Sequence, residues 1–194
     1  MATRLPFFSI LFIIAALLQC SVRSDDTSDK LLQGINSYRA SQNLSSLTEN
    51  QNAACLAEQI AKQFKDQACS NTTGANTVPG TEQQFPNFPD FLNHCNLNAS
   101  VTRDGAIMPA CVPDLDPNLL LSNFTKSQYT GYLNDTQYTG IGLADEGNWA
   151  VVVLSTNTPT GNYATYNGKG SSPNVALPSS LLLLMLSFLM IWLS

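Results

Sequence analysis

Apolar residues in this chain fall into three kinds of pattern, and each predicts a different element. Leu31, Leu32, Ile35 and Tyr38 recur at helical spacing behind Thr27 or Ser28 as a helix cap. Ser41 to Leu47 is polar enough to be a connection, with Leu44 and Leu47 turned inward. Thr48 and Gln51 then form a capping-box pattern ahead of a second stripe: Ala53, Leu56, Ala57, Ile60, Ala61 and Phe64. Between 71 and 89 the periodicity is lost among Pro79, Gly80, Pro86 and Pro89, which predicts a loop pinned by Phe85, Phe88 and Phe91. A short helix is expected near Asp90–Cys95, a turn at Asp104-Gly105 and a strand over Ile107–Val112. Asp116-Pro117 reads as a helix start, a capping carboxylate before proline at the first helical position, with the helix running from Leu119 to about Tyr132. Thr139–Ala144 and Trp149–Ser155 read as two strands joined by a turn at 145–148, and Val151 to Leu154 is continuous enough to be covered on both faces. Helices first and an antiparallel hairpin last define an α+β domain.

The two ends are apolar for another reason. Arg4, the apolar run Leu5–Leu18, and the small residues Val22 and Ser24 match a secretory signal with Asp25 as the mature start. At the other end, Leu181–Leu193 is apolar, shorter than a membrane span and followed by no basic residue. Upstream stand Gly170-Ser171-Ser172 and the spacer 173–180. Small triplet, spacer and apolar tail are the signal for a glycosylphosphatidylinositol (GPI) anchor, with Gly170 as the attachment residue and Ser171 as the alternative. The expected division is therefore signal 1–24, ectodomain 25–156, a Thr/Asn/Gly stalk 157–170 and a discarded propeptide 171–194.

Composition fits an exported ectodomain. The formal charge is −5, and removing Arg4 and Arg23 leaves 14 acids against 7 bases, which disfavours a nucleic-acid partner. Cys20 leaves with the signal, so Cys55, Cys69, Cys95 and Cys111 remain for two disulfides in any of three pairings. Asn-x-Ser/Thr acceptors occur at Asn43, Asn71, Asn98, Asn123 and Asn134.

Residue types with chemical potential are few. His94 is the only histidine, and no Gly-x-Ser-x-Gly elbow accompanies it, so a surface histidine beside a disulfide is the expected role. Asp114 and Asp116 lack a calcium loop around them, and Asp116 is explained as a cap. Asp145-Glu146 reads as a solvated hairpin turn rather than an acid/base pair. Gly140-x-Gly142 lacks the third glycine of a nucleotide loop. No catalytic, cofactor or metal residue is assigned.

Two resemblances follow from particular residues. Leu31-Leu32-x-x-Ile35-Asn36-x-Tyr38-Arg39, then Leu44-x-x-Leu47-Thr48-x-Asn50 and Leu56-Ala57, resembles the opening helices of the CAP superfamily of secreted cysteine-rich and pathogenesis-related proteins. Tyr138-Thr139-Gly140-Ile141-Gly142-Leu143 with Trp149 and the valine run is similar to its final hairpin. Over nearly the full length, Tyr38-Arg39, Cys55-Leu56-Ala57, Phe64-Lys65-Asp66-Gln67, Arg103 to Pro113 and Asn123 to Ser127 resemble a plant family of GPI-anchored membrane glycoproteins. The CAP resemblance implies an α-β-α sandwich and, for some members, sterol or lipid binding. It also implies two cleft histidines able to help hold a metal. Their positions fall near Cys69-Ser70 and Gln128 here, so no metal ligand carries over. The expected protein is a non-enzymatic surface recognition module held in the outer leaflet of the plasma membrane. Its ligand is an extracellular protein, glycan or lipid, and the alternative role is a sterol or lipid binder.

Overall fold

The computed structural model describes residues 25–69 and 85–165. The signal segment, Asn71 with most of the 71–89 loop, and the tail with Gly170 and Ser171 lie outside the described residues. The chain runs α1 (Asp25–Ser41), β1 (Thr48–Glu49), α2 (Gln51–Phe64), α3 (Phe88–His94), α4 (Ala99–Thr102), β2 (Ala106–Cys111), a 3₁₀ turn (Pro113–Leu115), α5 (Pro117–Thr125), α6 (Thr130–Leu133), β3 (Tyr138–Glu146) and β4 (Trp149–Thr156).

One four-stranded sheet, ordered β1-β3-β4-β2, separates two apolar layers. Strand alternation assigns the sides. Val152, Leu154, Met108 and Ile141 meet Ile35, Leu120 and Phe124 of α1 and α5 on one face. Trp149, Val151 and Val153 meet Leu56, Ile60 and Phe64 of α2 and Phe91 of α3 on the other. This is the expected α-β-α sandwich, and every residue of Val151–Leu154 is fully buried. Pro109 fits because β2 is an edge strand, where a missing N–H breaks no ladder on the open side.

Several local expectations are corrected. The second helix is capped not by Thr48 but by Asn50, whose side chain accepts from the amides of Asn52 and Ala53, both at 3.1 Å. Thr48 instead pairs with Gly140 in a parallel ladder, since the chain is captured by the β3 edge before it turns into the helix. Ser28 lies inside α1 rather than at its cap. Asp116 does cap α5, accepting from the amides of Asn118 and Leu119. The helix expected to reach Tyr132 nonetheless stops at Thr125, because hydroxyls compete for its backbone: Thr125 Oγ1 donates to Leu121 O, and Thr130 Oγ1 donates to Thr125 O. Asp145 and Glu146 belong to β3, opposite Ala150 and Trp149, and the turn contracts to Gly147-Asn148 with Gly147 at φ 61°.

The composition after Thr156 predicts a stalk leading away from the domain. Through 163 the segment instead folds back onto the domain: Tyr163 is buried and its N–H donates to Val101 O, while Asn50 Nδ2 donates to Asn162 O and Asn52 Nδ2 to Tyr163 O.

Disulfides link Cys55 to Cys95 and Cys69 to Cys111, closing sequence separations of 40 and 42. The first fastens α2 to the end of α3. The second ties the chain beyond α2 to β2.

Candidate functional site

Two helix ends flank the open side of β3. On one face the start of α1 brings Ser28 and Asp29. On the other, α2 lies so close to the strand that a Cβ on Gly142 would stand 2.1 Å from the Ala53 carbonyl carbon. Between them runs a groove of about 630 Å³, within the size range of ligand sites. Glu49, Gln51, Glu58, Leu143, Asp145 and Glu146 complete much of its lining.

Its electrostatics are dominated by carboxylates: Asp29, Glu49, Glu58, Asp145 and Glu146. Glu58 is paired with Lys62 one helical turn on, a pair that is about half exposed. Asp145 is half-buried. That desolvation raises its pKa above the ordinary carboxylate value, opposed by the hydrogen bond from Ser28 Oγ (3.2 Å) and reinforced by the nearby charge of Glu146. Asn50 stands at the groove's inner end with its donors and acceptor engaged: Nδ2 donates to Ser155 Oγ and Asn162 O, and its amide donates to Ile141 O at 2.8 Å. It is a structural clamp that fixes where α2 departs from the sheet.

The residues singled out from sequence are placed as follows. His94 is exposed in the last turn of α3, next to the Cys95–Cys55 bridge, and does not line the groove. Asp114 is exposed at φ 56° in the 3₁₀ turn. Of the two positions where CAP cleft histidines would fall, Cys69 is bridged to Cys111 and Gln128 is half-buried between α5 and α6. Phe85 packs edge-on against Phe64 at 5.5 Å and near Phe91 at 6.1 Å, so these rings belong to the core layer over α2. Asn43 and Asn134 are exposed, and Asn98 and Asn123 are partly so. Sequence reasoning missed the groove because its carboxylates come from four separate elements. Only the surplus of acids over bases hinted at it.

The helix-sheet-helix layering with its closing hairpin is SCP/CAP-like in fold. In fold, the chain is similar to an extracellular protein containing an SCP domain from Bacillus anthracis (TM-score 0.51, 18% identity, 68% of this chain and 40% of that one). A cysteine-rich secretory protein from Staphylococcus aureus aligns at TM-score 0.47 and 13% identity, over 68% of this chain and 38% of that one. The chain thus spans well under half the length of these bacterial proteins. More specifically, it belongs to the family described as "Uncharacterized GPI-anchored protein At5g19230-like domain", whose model matches residues 28–154. It is 56% identical over 162 residues to the uncharacterized GPI-anchored protein At3g06035 of Arabidopsis thaliana, covering 84% of this chain and 81% of that protein. As a member of a GPI-anchored family, the chain is held at the extracellular face of the plasma membrane. No helix among the described residues is long and apolar enough to cross a membrane.

Proposed function

We propose that the ectodomain is a non-enzymatic recognition module that binds an extracellular protein. The observation that carries this reading is the open, polar groove along a sheet edge, set in a domain cross-linked by two disulfides. Such a scaffold presents fixed polar groups to solvent at little conformational cost on binding. The placement of His94 on an exposed helix end and of the four described cysteines in bridges also favours binding over covalent catalysis. In this reading residues 1–24 and 171–194 are removed, Gly170 (or Ser171) carries the lipid, and Asn43, Asn71, Asn98, Asn123 and Asn134 carry glycans.

The test is photo-crosslinking of the anchored protein on intact cells, followed by phospholipase release and native mass spectrometry of the ectodomain. A specific crosslinked protein and an otherwise empty ectodomain are expected. A stoichiometric sterol or other lipid would replace this reading with the lipid-carrier one. A hydrolytic activity lost in His94→Ala would replace it with an enzyme.

A further inference from the structure

Strand β3 is nine residues long, but its partner on the open side, β1, is only two. The ladder there covers Gly140 and Ile141, and the last bond is Asn50 N–H to Ile141 O at 2.8 Å. At Gln51 the chain lifts off into α2. Backbone groups on a strand point to the same side every second residue, so Leu143 and Asp145 present their N–H and C=O toward the vacated position. Among the described residues neither group has a hydrogen-bond partner on that side. The groove lies along this stretch. An open edge of this kind is a template for a further strand.

We propose that an extended, cationic segment of a partner protein adds as a strand beside Leu143–Asp145, in line with β1, with its lysine or arginine side chains meeting the carboxylates of the groove. This deepens the recognition reading and rests on it. The alternation of an added strand suits the walls: one set of side chains faces Asp29 and Asp145 beside α1, the other faces Glu146 and Glu58 beside α2. Glu49 stands at the end where β1 stops. Charge excludes the chain itself as the occupant. Residues 70–84 contain no Lys or Arg, residues 166–194 contain only Lys169, and a second copy without its signal segment brings 14 acids against 7 bases.

The probe is a six-residue alternating Lys-Val peptide, titrated by NMR against the ¹⁵N-labelled ectodomain released from its anchor. Binding is expected to shift the Leu143 and Asp145 amides and to weaken at least tenfold for two control peptides. One has the same sequence with alternate backbone nitrogens methylated along one edge, and the other is a Glu-Val peptide. The double variant Glu49→Gln/Asp145→Asn should weaken binding about fivefold while leaving the rest of the spectrum in place. Equal affinity for the methylated peptide would reduce the interaction to surface charge and overturn strand addition. Absence of binding would assign the carboxylates to keeping the edge unpaired, and overturn it too. In either case a partner still crosslinked equally to wild type and the double variant leaves the recognition reading standing. A cell surface with no crosslinked partner would defeat that reading itself.

Discussion

Arg39 Nη1 donates to the carbonyl oxygen of Leu133 at 2.6 Å, joining the last turn of α1 to the end of α6. The same guanidinium reaches Ser45 O at 2.8 Å, Asp135 O at 3.3 Å and Tyr138 O at 3.3 Å, and the residue is 2% exposed. Burial lowers its pKa, and the field of Asp135 partly restores it. One charged fork thus satisfies carbonyls from two loops and the start of β3, which a lysine's single ammonium does not match. Arg39→Met leaves those buried acceptors without donors. A loss of about 3 kcal/mol is expected, read as a lower urea midpoint with an unchanged slope.

Glycines separate tight from open sites. Gly142→Ala drives a methyl into the backbone of Ala53 and Ala54, which cannot rotate away. The expected cost is about 3 kcal/mol, with α2 displaced from the sheet. Gly131→Ala in α6 meets nothing within 4 Å and should be neutral or stabilising by up to about 1 kcal/mol. Paired thermal melts of the two variants check both statements. Equal effects would mean that the close approach at Gly142 is absent in solution.

The raised pKa of Asp145 carries a sign. Between the ordinary carboxylate value, about 3.9, and the raised one, the folded state binds this proton more tightly than the unfolded state does. Asp145 therefore lowers stability as pH rises through that window. Asp145→Asn should be more stable than wild type at pH 7, with the gap closing below the window. Ser28→Ala removes the bond that favours the charged form, so it should widen the window. Urea midpoints from pH 3 to pH 7 would show the opposite trend if the carboxylate were instead held by an unseen cationic partner.

Asn98 is both a glycan acceptor sequence and the cap of α4: its Oδ1 accepts from the amides of Ser100 at 2.8 Å and Val101 at 3.3 Å. A glycan on Nδ2 leaves that cap intact. Asn98→Gln should remove sugar and cap together, whereas Ser100→Ala removes the acceptor sequence and keeps the cap. If Asn98 is glycosylated, both variants lose the same gel step, and only the first loses about 1 kcal/mol of stability. Because Val101 O holds the Tyr163 amide, the loosened helix should also expose the 157–163 segment to protease.

What the sequence determined by itself was carried by local rules, though not every local rule held: Asn50, not Thr48, caps α2. The stripe Ala53 to Phe64 gives α2 its buried face without exception, since helical spacing alone fixes which side chains share a side. Asp116 caps α5 because a carboxylate and a proline suffice to start a helix. The valine run marks β4 as covered on both faces, since a strand with no polar face must be buried twice; its place between β3 and β2 came only with the structure. Cysteine parity indicated two bridges but not which ones, because pairing depends on where α3 and β2 settle. The rest needed the tertiary structure. Thr48 and Glu49 become a strand only because Gly140 and Ile141 are there to pair with them, across more than 90 residues of sequence. Asp145, which local sequence assigns to a turn, joins β3 instead, because a two-residue Gly147-Asn148 connection extends the ladder to Glu146. The acidic groove is the sum of these long-range events. A helix leaving the sheet one residue after β1 uncovers the edge, and four distant elements bring their carboxylates to it.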